Sequence, residues 1–288
     1  MRFLILAHHE DATAIGVAAA LRRRHAPNQI RVVSLDEIVL APKWVYRIEE
    51  GHTCTELILH DGTVIQSHDI GVVFNRLQYV SMPHFTTAKR EDRDYATMEM
   101  FALLVSWLAG LPCPVMNPVS SEGLNGPVYS SAKWQILAGK VGLPVFRFGM
   151  TSSVRRFPIN NGLTRVPITS SATGSYGHTP PTLPTGHYPA NFFEPLSDNV
   201  HTALVVGHRV FGGLPDDLTL ACRHLADLTG LALLRLYFSS SRQGKAAWIF
   251  TGADPFPHIT DTQSLCSLML LLEERSERSH TASRMVEP

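Results

Sequence analysis

The chain has 288 residues, enough for two modest domains, and its apolar share of 44% is ordinary for a globular protein. Lysine plus arginine equals aspartate plus glutamate at 25 each, so the basic footprint that nucleic-acid binding leaves in a sequence is missing. The most apolar stretch, residues 101–115, is broken by Ser106, Gly110, Pro112 and Pro114 and falls short of the ~20 residues a membrane helix needs.

Cys54, Cys113, Cys222 and Cys266 form no C-x-x-C pair, which argues against a zinc knuckle or a disulfide framework and for reduced thiols in a cytoplasmic protein. The opening apolar run is too short for a signal-peptide core and fits a buried strand at Phe3–Ala7. A polar turn, His8-His9-Glu10-Asp11, leads into residues 12–24. There Ile15, Ala18, Ala19 and Leu21 recur at helical spacing, and Arg22, Arg23 and Arg24 suit the negative end of the helix dipole. A second strand at 30–35 completes a β–α–β opening, the start of a parallel, doubly wound sheet. Asp61-Gly62 between the β-prone runs 56–59 and 63–65 predicts a hairpin. A buried strand follows at 71–74. A helix at 92–109 is expected to bury a stripe of Tyr95, Met98, Ala102, Val105 and Leu108, and a strand at 115–117 ends at Pro118.

Further on, residues 130–141 read as a helix and 144–148 as a strand. From 150 to 190 the chain is rich in Pro, Gly, Ser and Thr, with Pro180-Pro181, and no regular element is expected. Strands at 203–206 and 209–211, a helix at 217–229, and a strand pair at 233–238 and 246–250 around Gln243-Gly244 come next. A last helix at 265–274 gives way to a polar tail expected to fray. Its run 265–272 demands cover, from the core or from a homodimer seam.

Several chemistries fail on inspection. The first β–α turn has no G-x-G-x-x-G and the chain no G-K-[ST], which argues against a dinucleotide dehydrogenase or a P-loop enzyme. The serines lack a G-x-S-x-G frame. His8, His9, Glu10 and Asp11 sit at a sheet edge suited to ligands, but neighbours on one turn rarely converge on a metal ion. Asp11 also reads as a helix N-cap. No catalytic residue emerges from the residues alone.

One stretch carries more. Asn117-Pro118, a loop of small residues, then Ser131-Ala132-Lys133, Gln135, Leu137 and Gly142-Leu143-Pro144-Val145 resemble the ATP-grasp ligases. Upstream, the first strand and its turn, the Asp-Gly hairpin, Val72-Val73-Phe74-Asn75-Arg76 and the long helix resemble the branch that modifies ribosomally made peptides. The resemblance implies an α/β chain: an N-terminal parallel-sheet pre-ATP-grasp domain at 1–118, a reduced ATP-grasp-like α+β domain at 119–275 with the irregular segment 150–190, and a tail at 276–288. It also implies ATP held between two small lobes, lysines on its phosphates, and magnesium on acidic and amide side chains. In such enzymes a carboxylate is activated as an acyl phosphate and attacked by an amine or hydroxyl.

Carried onto this sequence, the resemblance makes Lys133, Lys140 and Arg209 cofactor-binding candidates and Arg76 a substrate-binding one; His8 and Asp11 are substrate-binding candidates from their place at the sheet edge. The plainer readings are lysine stems lying over an apolar stripe and a structural ion pair at Arg76. The pattern also departs from the family. Residues 150–190 hold Arg155, Arg156 and Arg165 but no lysine. Where an acidic residue should end a strand the chain has Leu234-Arg235-Leu236-Tyr237-Phe238, and where Glu-x-Asn should stand it has Phe250-Thr251-Gly252-Ala253-Asp254-Pro255. Phenylalanine and glycine side chains bind no magnesium, and Asp before Pro reads as a turn former. The expectation is a divergent ATP-grasp-like protein without the standard magnesium site, binding a peptide or protein partner in a biosynthetic pathway. The alternatives are an active ATP-dependent carboxylate–amine ligase using Lys133, Arg209 and Asp254, and a small-molecule-binding regulatory domain at His8–Asp11.

Overall fold

In a computed structural model, residues 1–49, 52–151, 164–166, 190–193, 196–241 and 248–286 are described. The chain divides into two compact units: Met1–Val128 with Gly230–Leu233 and His258–Pro288, and Tyr129–Thr229 with Leu234–Pro257.

The first unit begins with β1 (Phe3–Ala7), five apolar residues all buried, as a strand covered on both faces requires. α1 (Ala12–Arg22) starts where the Asp11 side chain accepts a hydrogen bond from the Ala14 N–H. β2 (Ile30–Ser34) runs into α2 (Leu35–Val39) through a capping box between Ser34 and Glu37. Three antiparallel strands follow: β3 (Lys43–Glu49), β4 (His52–Ile58) and β5 (Val64–Gln66). β5 belongs to the Asp-Gly hairpin read from the sequence. Then come β6 (Val72–Arg76), α3 (Arg90–Ala109) and β7 (Val115–Met116). The order β2-β1-β6-β7 is parallel throughout, as the β–α–β opening predicts.

The face that α3 buries differs from the expected stripe. Leu104, Trp107 and Leu108 are its buried residues, whereas Tyr95 and Met98 are 66% and 71% exposed. Trp107 meets the edge of Trp44 from β3, with ring centroids 5.4 Å apart, so a strand unseen in the sequence sets which face of the helix is inside.

In the second unit, α4 (Ser131–Lys140) is capped by Ser130, whose hydroxyl accepts from the Lys133 N–H. β8 (Phe148–Thr151), β9 (Thr164–Val166) and β10 (Ala190–Phe193) form an antiparallel sheet in the order β8-β10-β9. These strands fall in or beside the stretch read as irregular. They pair across long separations, which local composition does not report. Arg155, Arg156 and Pro180-Pro181 lie outside the described residues. β11 (Leu196–Val206), β12 (Arg209–Phe211), α5 (Asp216–Thr229), β13 (Leu233–Ser241) and β14 (Ile249–Asp254) follow, and the sheet order is β12-β11-β13-β14. The last strand begins three residues later than 246 and runs on to Asp254; the Gln243-Gly244 turn lies outside the described residues.

The chain then returns to the first unit as α6 (Thr262–Val286). The frayed tail expected there is helical instead. The Arg2 Nε donates to the Ser276 hydroxyl at 3.1 Å, and its guanidinium pairs with Glu277 at 2.9 Å, so the helix past Glu274 has partners to hold it. The apolar run is covered by its own chain: Leu268, Met269 and Leu272 are buried, and Leu265 packs on Gly16 of α1. No helix among the described residues is long and apolar enough to cross a membrane.

Candidate functional site

The residues singled out in the sequence fall in two clusters, one in each unit. The first lies at the carboxyl ends of β1 and β6, where Ala7 and Arg76 are register partners. That pairing brings the residues after β1 beside Arg76, although 65 positions separate it from Asp11. Asp11 Oδ1 accepts from Ala14 N at 2.7 Å, and Oδ2 accepts from the Arg76 Nε at 3.0 Å, while the Arg76 Nη2 lies 2.9 Å away within the same ion pair. Arg76 is 1% exposed and Asp11 is also buried, so the two charges meet each other away from bulk water. His8 stacks on Tyr79, rings nearly parallel at 4.2 Å. Burial lowers the pKa of His8 below its ordinary value; the carboxylates of Asp11 and Asp36 oppose that shift, and His9 adds to it.

Next to this pair, Asn75 Nδ2 donates to the Leu124 carbonyl, its Oδ1 accepts from Leu77 N, and Asn125 Nδ2 returns a bond to the Asn75 carbonyl at 2.6 Å. Both asparagines are buried. They fasten the small-residue loop after Pro118 to β6. Thus His8, Asp11 and Arg76 do come together, with Arg76 and Asp11 turned toward one another. Tyr79 and Asn125 complete the cluster, and no spacing signal in the sequence marks either of them.

The second cluster surrounds α4 and the β13–β14 pair. Lys133 is exposed, with its ammonium 5.9 Å from the centre of the Tyr129 ring, and Tyr129 meets Trp134 edge-on at 5.1 Å. Lys140 is exposed at the far end of the same helix, and Arg209 opens β12, the outer strand of its sheet. α4 is pinned to β14 by Gln135, whose Nε2 donates to the carbonyls of Phe250 and Thr251.

Across the strand pair, Arg235 is opposite Asp254 and Tyr237 opposite Gly252. Side-chain alternation puts these four positions on one face, while Leu236, Thr251 and Ala253 are buried on the other. The Tyr237 pKa is raised by burial and then by the Asp254 charge, against the pull of Arg235. Asp254 Oδ1 accepts from Phe256 N at 2.8 Å, which is the turn-forming role its place before Pro255 suggests. Beside Gly252 there is open space. Magnesium asks for about six oxygen ligands in octahedral array. This face offers a single carboxylate, already bonded to a backbone N–H and facing a guanidinium, so its residues do not fit the ion. Among the described residues, no group of three or more His, Cys, Asp or Glu is placed to hold a metal.

No protein-family model matches the sequence, and no curated protein matches it. Solved structures do. A RiPP-associated ATP-grasp ligase from Chryseobacterium gregarium, in complex with ADP and a leader and core peptide, superposes with TM-score 0.72 at 15% identity over 95% of this chain and 96% of that one. This chain has the ATP-grasp ligase fold. The macrocyclase MdnC from Microcystis aeruginosa MRC, bound to its precursor peptide MdnA, gives TM-score 0.72 at 12% identity over 96% and 100% of the two chains. The ATP-grasp ligase PsnB, complexed with minimal precursor, Mg and ADP, gives 0.68 at 16% identity over 96% and 98%. The parallel sheet of the first unit and the antiparallel sheets of the second are the mixed α/β architecture of this ATP-grasp fold, as the stretch around Lys133 suggests in the sequence.

Proposed function

We propose that this chain is a divergent ATP-grasp protein that binds a peptide or partner protein in a biosynthetic pathway and does not carry out the standard magnesium–ATP chemistry. The observation that carries this reading is the β13–β14 face. Arg235 there opposes Asp254, and Tyr237 opposes Gly252, where magnesium chemistry calls for several oxygen ligands. The peptide half of the reading draws on the superposed ligases, whose structures hold leader, core or precursor peptides. Titration calorimetry of the whole chain with Mg-ATP tests it. No magnesium-dependent heat and no ADP release are expected, and micromolar binding with turnover would sink the proposal.

A second reading, an active carboxylate–amine ligase acting on a peptide or amino acid, is favoured by one feature. Lys133 is an exposed cation on a helix anchored by Gln135, a suitable pose for a phosphate contact. It predicts that Lys133→Ala abolishes ADP release in the presence of substrate peptide, while an unchanged rate removes Lys133 from that role.

A further inference from the structure

β3 is the outer strand of its sheet: the order is β3-β4-β5, and among the described residues no strand lies along its other edge. Its seven residues exceed the usual strand length of about 5–6, and an uncovered edge of that length invites pairing with another chain. One face of the strand is held by the core. Trp44 meets Trp107 of α3, and the Tyr46 hydroxyl donates to the Ser106 carbonyl. Strand alternation puts Ile48 on that same face, yet it is 71% exposed. On the other face Lys43 and Arg47 stand exposed on either side of half-buried Val45. Lys43 pairs with Glu56 of β4 and still has half of its side chain exposed.

The strand reads Lys43-Trp44-Val45-Tyr46-Arg47-Ile48-Glu49. Laid antiparallel on a second copy of itself about Tyr46, it sets Lys43 opposite Glu49, Trp44 opposite Ile48 and Val45 opposite Arg47. A twofold axis repeats each of these pairings. Unlike charges, and an aromatic with a β-branched residue, are favourable pairs when directly opposed. Ile48 thereby gains the Trp44 ring of the other copy as cover. Charges on an edge strand can also serve to repel a second strand, which requires like charges in register. Here the register decides the sign. Moving the axis one residue toward Val45 sets Lys43 opposite Arg47, and moving it one residue toward Arg47 sets that arginine opposite itself. Like charges penalise both neighbouring registers, and the axis at Tyr46 brings unlike ones together.

We propose that two copies of this chain join antiparallel through β3 about Tyr46, merging two three-stranded sheets into one of six strands. The inference goes beyond the peptide-binding reading and does not depend on it.

Sedimentation velocity of the full chain, over a concentration series up to about 100 μM, tests it. A monomer–dimer equilibrium is expected. Ile48→Glu, at an exposed position, replaces the apolar cover of Trp44 by a carboxylate. It should weaken the dimer at least about tenfold and leave the far-UV circular dichroism of the monomer unchanged. Amide hydrogen exchange across β3 should be slower in the wild-type dimer than in the Ile48→Glu monomer, because pairing protects the edge. A chain that stays monomeric throughout the series overturns the proposal. So does a dimer that Ile48→Glu leaves intact, or one in which β3 exchanges as fast as in the monomer, because the seam then lies elsewhere.

Discussion

Asn117 holds both backbone polar groups of Leu233: its Nδ2 donates to the Leu233 carbonyl at 2.7 Å, and its Oδ1 accepts the Leu233 N–H at 3.0 Å. Asn117 is buried and has φ of 53°, a left-handed conformation that asparagine tolerates better than most residues. The side chain thus does the work of a strand neighbour where β7 has ended. Asn117→Ala removes both bonds, strands two buried backbone groups and keeps the backbone strain. The expected loss is about 2–6 kcal/mol in urea denaturation, from about 1–3 kcal/mol for each of the two orphaned groups. A loss under about 1 kcal/mol would show the clamp to be dispensable.

Asp11 has two duties, capping α1 and neutralising Arg76. Asp11→Asn keeps an oxygen for the Ala14 N–H but removes the charge. Asp11→Ala removes both and leaves a buried guanidinium without its carboxylate, which costs about 3–5 kcal/mol. Urea unfolding should rank the variants wild type, Asn, Ala, with Asn nearer to Ala. If Asn behaves as wild type, the ion pair contributes nothing.

The half-buried ring of His8 makes stability depend on pH. Its folded pKa lies below the ordinary 6.5, so the unfolded chain takes up the proton first as the solution is acidified. The neutral ring's contribution is therefore complete above pH 6.5 and drains away as the pH falls through the folded value. His8→Gln should flatten that part of the stability–pH curve. An NMR titration that places His8 at or above 6.5 would contradict the burial argument.

The cysteines divide by burial. Cys113 and Cys222 are pushed up to about 12 by burial, whereas Cys54 and Cys266 are exposed. Since the thiolate is the reactive form, iodoacetamide at about pH 8 should label Cys54 and Cys266 in the native chain and the other two only after unfolding. Mass spectrometry of the alkylated protein reads this directly, and early labelling of Cys113 would place it outside the core.

What could be read in the sequence was what acts over a few residues. The Asp61-Gly62 hairpin, the apolar run of β1 and the Asp11 cap are local devices, and each stands where it was expected. Arg76 could be flagged as a paired or ligand-binding cation, but its choice of Asp11 depends on the register of β1 against β6. β3 escaped notice because Lys43, Trp44, Val45, Tyr46 and Arg47 mix polar and apolar residues without clean alternation; pairing with β4 makes them a strand. The same strand, through Trp44, decided which side of α3 faces inward, so one missed element carried a second error with it. On β13 and β14 the unusual residues were legible one by one. Their juxtaposition, with Tyr237 across from Gly252, belongs to the pairing register.

Because α6 packs on α1 and ties down Arg2, the first unit is built from both sides of the second in sequence. During synthesis, residues 1–128 emerge while the helix that covers them is still untranslated, and all of 129–257 must come first. At ~5–20 residues per second that delay is on the order of 10 s. Over that interval the α1 surface around Gly16 waits without its partner Leu265.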